Sequence, residues 1–157
     1  MISLVPTYHE TIVLSKPARE VYLLISGATS NKPFLQDDEK NLYFNGWAKE
    51  DRFRISLRLR RVNHYLPLVI GQIVSTSSGS ILFIDYQLFP ATRMLLTLWT
   101  ILLILGSLMG YYQSQNILLP AGGLGIITLI HVIVRSNFQL QLATTQDTLR
   151  RLVSQSL

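Results

Sequence analysis

The sequence predicts an α+β fold: a small cytoplasmic antiparallel-sheet domain with two helices, interrupted by a two-helix transmembrane hairpin. Three observations predict it. Charged residues make up 15% of the 157 residues, against about 25% in ordinary soluble domains. The deficit is concentrated, because no Asp, Glu, Lys or Arg occurs between Arg93 and Arg135. The preceding 90 residues carry ordinary charge and several stretches of strand periodicity.

Residues 11–14 are β-prone. Ser15 then stands where a helix cap belongs, with Pro17 near the start of the helix and Glu20 in its early turns. Val21, Leu24, Ile25 and Ala28 give residues 16–28 one apolar face. Residues 26–33 contain Gly27 and Pro33 and mark an exit loop. Residues 42–48 read as a strand, and Lys49, Glu50 and Asp51 as a turn. The clearest alternation follows, with Phe53, Ile55, Leu57 and Leu59 set against Arg52, Arg54, Ser56, Arg58 and Arg60. A period of two puts these sets on opposite sheet faces. Residues 66–74 and 81–88 form a second predicted hairpin around a Ser- and Gly-rich turn, and Pro67 points to an edge or initial position.

Two apolar tracts, 94–112 and 117–134, are each long enough to cross a ~30 Å hydrocarbon core. A four-residue QSQN turn joins them. Two helices that are apolar all round need more cover than so short a chain supplies. The expectation is a two-pass integral membrane protein. Arg93 and Arg135 flank the hairpin and the turn lacks positive charge, which puts both termini on the cytoplasmic side, or the stromal or matrix side in an organelle. Gly106, Gly110, Gly122 and Gly123 are candidates for close helix packing. His131 falls near the cytoplasmic interface, without the partners that metal or haem ligation requires.

After the hairpin, Phe138, Leu140 and Leu142 alternate with Asn137, Gln139 and Gln141. This predicts a strand over 137–143, the rival being a continuous helix or an amphipathic helix lying on the bilayer. Thr144 and Asp147 then suggest a capping box, and Leu149, Leu152 and Val153 an apolar helical stripe. The expected organisation is a domain over 1–90, a hairpin over 91–135, and a strand and helix over 136–157 that rejoin the domain.

With no cysteine, disulfides, thiol catalysis and Cys-ligated metals are excluded. No catalytic motif is present, and no cofactor or metal is expected. Asp37, Asp38 and Glu39 read as a solvated loop. The strongest functional hint is the basic set Arg52, Arg54, Arg58, Arg60 and Arg61, a candidate contact for anionic lipid or a partner protein. No nucleic acid is expected, because the basic surface is small and lacks exposed stacking aromatics. The first functional expectation is therefore a small membrane protein whose cytoplasmic domain binds or organises a membrane protein partner, as an accessory or assembly subunit. Its partners would be membrane lipids and a membrane protein complex or a homo-oligomer. The alternatives are a membrane-anchored sensor or enzyme that binds a lipid or small anionic ligand, and an oligomeric transport component.

Overall fold

The structure is a computed structural model and describes residues 6–30, 42–59 and 63–154. Within them the chain forms β1 (Thr7–Leu14), α1 (Ala18–Gly27), β2 (Thr29–Ser30), β3 (Phe44–Ala48), β4 (Arg52–Leu57), β5 (Pro67–Thr76), β6 (Gly79–Leu88), α2 (Pro90–Ser114) and α3 (Leu118–Ser154). The strands make one sheet in the order β1-β6-β5-β4-β3-β2. The β3-β4 and β5-β6 pairs are the two hairpins that the alternation predicts, and β4 joins them by pairing with β5.

The expected two domain helices and separate two-helix hairpin are corrected to three helices among the described residues, and the expected antiparallel sheet to a mixed one. The reason lies in the first crossover. β1 takes one edge, antiparallel to β6. The chain then passes through α1 to the opposite edge, where the short β2 runs parallel to β3.

Period two settles which face is which. Phe53, Ile55 and Leu57 on β4 and Leu82, Ile84, Tyr86 and Leu88 on β6 are all buried. Arg52 and Arg54 face outward. α1 supplies Val21 and Ile25 to the same core, and Ala28, which caps it, adds to them. At Gly71 on β5 the Phe53 ring of the neighbouring strand lies across the backbone, and a Cβ there would come 2.0 Å from it. Only glycine leaves room for this ring.

The largest departure from the sequence expectation is α3. Residues 137–143 are helical, and α3 runs unbroken from the hairpin into the sheet domain. Phe138, Leu142, Thr145, Leu149 and Val153 are buried at spacings of three and four, the stripe of a helix against a core. Leu140, which a strand would have set beside Phe138 and Leu142, is 66% exposed. Thr144 does not cap a new helix. Its hydroxyl donates to the Leu140 carbonyl one turn back, as those of Thr145 and Thr148 do to Gln141 and Thr144.

The break between α2 and α3 is abrupt. Gln115 adopts a left-handed conformation, with φ 54°. Asn116 then accepts a hydrogen bond from the Leu118 N–H at 3.0 Å, which satisfies one of the open donors of α3. Between the helices, Gly123 packs on Ser107 so closely that a Cβ would meet its hydroxyl. Gly110 lies against Leu119, whereas Gly106 and Gly122 have nothing within 4 Å of where a Cβ would stand. Among the described residues, Leu96 near the start of α2 and Val134 on α3, with the partly buried Ile130 one turn before it, carry the hairpin into the core.

Candidate functional site

Two polar constellations lie where the last turns of α3 cross the sheet. The first is built on Glu10. Alternation on β1 turns Glu10 toward the core, between Tyr8 and Ile12, and its side chain is 7% exposed. A carboxylate taken out of water needs donors, and this one has them from two elements. Tyr86 on β6 donates its hydroxyl at 3.1 Å. On α3, Gln146 donates at 2.9 Å and Arg150 at 2.8 Å through Nε, with a second guanidinium contact beside it.

Burial pushes the Tyr86 phenol far above the usual tyrosine range, and the charge and hydrogen bond of Glu10 push it the same way. The hydrogen bond to Glu10, and then its charge, raise the Arg150 guanidinium. Both groups therefore hold their protons. The Tyr8 ring stands 6.1 Å from the Tyr86 ring, tilted by 50°. The arrangement clamps α3 to the sheet with one carboxylate and three donors.

The second constellation is an open cleft of about 260 Å³, lined by Tyr43, Asp147, Thr148, Arg151 and Leu152. Tyr43 immediately precedes β3 and donates its backbone N–H to the Ala28 carbonyl, which ties this wall to the end of α1. The other four residues come from two successive turns of α3. Arg151 and Asp147 form an i,i+4 ion pair at 2.9 Å. A guanidinium has five N–H donors, so one carboxylate does not exhaust it. Arg151 is thus placed to read a second anion, with hydroxyls and the Leu152 side chain beside it.

The predicted basic stripe divides. Arg52 and Arg54 project from the outer face of β4, and Arg52 pairs with Asp51 at 3.3 Å. Across the strand pair, Arg54 stands opposite Trp47, and the Lys49 ammonium lies 5.6 Å from that ring. Arg58 follows the strand and is half-buried. Arg60 and Arg61, like Asp37, Asp38 and Glu39, lie outside the described residues. Arg52 and Arg54 do not line the cleft, whereas the Arg58 backbone N–H donates to the carbonyl of Tyr43, which does. Among the described residues no three carboxylates or imidazoles converge as a metal site. His131 is bonded to the Ile127 carbonyl.

Sequence reasoning passed over every residue of the Glu10 cluster and took Asp147 only as a helix cap. One signal was available: Glu10 interrupts the apolar side of an alternating run, a position where a carboxylate needs partners.

No family model and no curated protein matches this chain. Among solved structures, it is similar to a polyketide-cyclase-like protein of Corynebacterium glutamicum, determined by solution NMR. The identity is 10%, the likeness covers 96% of this chain and 94% of that one, and the TM-score is 0.33. At that score the shapes diverge too far for a ligand or activity to be carried across.

The expected two-pass membrane placement with cytoplasmic termini, and the partner-organising function built on it, are withdrawn, because they rest on length, apolar composition and flanking charge alone. Neither is carried further. α2 and α3 are long and apolar enough to cross a membrane by length and composition, but those two properties alone do not place them in one. The class that the described residues define is a mixed sheet with three helices.

Proposed function

We propose that this chain binds a small anionic ligand with an apolar part, in the cleft between Tyr43 and the last turns of α3. The observation that carries the reading is the pairing of Arg151 with Leu152 in one open cavity, flanked by the hydroxyl-bearing Tyr43 and Thr148. The guanidinium suits a carboxylate or phosphate, which it can hold through two parallel N–H bonds. Leu152 and the Tyr43 ring offer an apolar wall beside it. The volume of about 260 Å³ is just under the ~300 Å³ at which drug-sized pockets begin, so the ligand is small. The Glu10 clamp supports the reading from below, because it fixes the turn of α3 that carries Asp147, Thr148 and Arg151.

Titration calorimetry with octanoate, and with octanamide as the uncharged control, tests this. Saturable octanoate binding is expected, weakened tenfold or more in Arg151→Gln and absent for octanamide. Equal octanoate binding by Arg151→Gln and the unaltered chain would refute the assignment.

A further inference from the structure

The surface of this molecule is too large for its mass. A folded monomer of 17.8 kDa exposes about 8,000 Å², whereas this chain exposes 10966 Å². Much of the exposed apolar surface is on α2 and the first half of α3. Leu98, Leu105 and Met109 on α2, and Leu124, Ile126 and Leu129 on α3, are each about half exposed or more. Single exposed leucines are ordinary, but a contiguous apolar surface of this extent marks an interaction site.

We infer that the α2–α3 hairpin is where two copies of this chain meet, hairpin against hairpin, as a four-helix bundle. Three observations favour a second copy as the occupant. The excess, about 3,000 Å² summed over all 157 residues, is larger than the roughly 1,000–2,500 Å² that one subunit contributes to an obligate dimer interface. A two-fold interface must be complementary to itself, and a surface with no charged residue from 94 to 134 offers an identical copy nothing to repel. The hairpin also reaches the core through Leu96, Ile130 and Val134 at its base, so its length beyond them is free to pack on a partner without disturbing the sheet.

Sedimentation equilibrium of the full chain tests this. The expected result is a species of twice 17.8 kDa. Leu105→Glu and, separately, Leu129→Glu should shift it to the monomer, with far-UV circular dichroism unchanged. A charge on either helix is a sufficient probe, so if one variant fails to fold the other decides. Three results would overturn the inference: a monomer at every concentration, a dimer that both folded variants retain, or a monomer that instead partitions into phosphatidylcholine vesicles.

Discussion

Tyr86 shows how one buried hydroxyl can set the response of a fold to pH. Its ring is fully buried, and its proton is held by burial and by the Glu10 carboxylate it faces. In the unfolded chain a tyrosine releases its proton near pH ~10. Between that pH and the raised folded value, the unfolded state binds fewer protons than the folded one. Stability is therefore fully present below pH ~10 and lost as the pH rises above it. One such group contributes a slope that rises to about 1.4 kcal/mol per pH unit once the unfolded tyrosine is fully ionised. Tyr86→Phe lacks the group and should lack this slope, although it gives up the hydrogen bond to Glu10 at every pH. Urea unfolding at pH 10 and 11 checks this. The unaltered chain should lose about 1 kcal/mol more over that unit than Tyr86→Phe does, because the unfolded tyrosine is only half ionised at pH ~10. Equal losses would show that the Tyr86 phenol ionises in the fold much as it does in the unfolded chain.

At the scale of the element, the identity of α3 rests on a contest between two periods. Phe138, Leu140 and Leu142 fit a strand, while Phe138, Leu142, Thr145 and Leu149 fit a helix. Burial decides for the helix, and mutation should decide the same way. Phe138→Ala removes a ring that is 2% exposed and should cost about 3–5 kcal/mol. Leu140→Ala, on the outer side, should stay within about 0.5 kcal/mol. Denaturant midpoints of the two variants measure the difference, and a comparable loss in both would favour the strand. The same contest explains what could be read beforehand. β4 and the β5-β6 hairpin were legible because alternation over six to ten residues has no helical competitor. α1 was legible from its single apolar face. Three consecutive alternating pairs at 137–142 were too few to outweigh the longer helical stripe that contains them. The parallel β2-β3 pair spans two residues on each strand and leaves no periodicity to find. Glu10, Gln146 and Arg150 are brought together across 136 and 140 residues, and no local spacing reports such an encounter.

At the scale of the whole molecule, the chain divides between a sheet with its own core and a hairpin that scarcely enters it. The core unites α1, the inner sheet face and α3 from Val134 onward. Of α2, only Leu96 is buried. Helices in contact lie about 8–10 Å apart, so the chain at Leu96 and the chain at Val134 are separated by a gap that a few residues can bridge at ~3.3 Å each. Replacing residues 97–129 with a four-residue Gly-Ser link should therefore leave the sheet, α1 and the second half of α3 folded, with Ile130 kept against the core. Hydrophobic burial is lost only where α2 and α3 touch each other, and that contact does not hold the sheet. The amide groups of β5 and β6 should keep their protection from hydrogen exchange, and the Glu10 clamp should keep the alkaline slope assigned to Tyr86. Loss of protection throughout β5 and β6 would mean that the hairpin and the sheet fold as one cooperative unit, with Leu96 and Val134 as its essential joint rather than its margin.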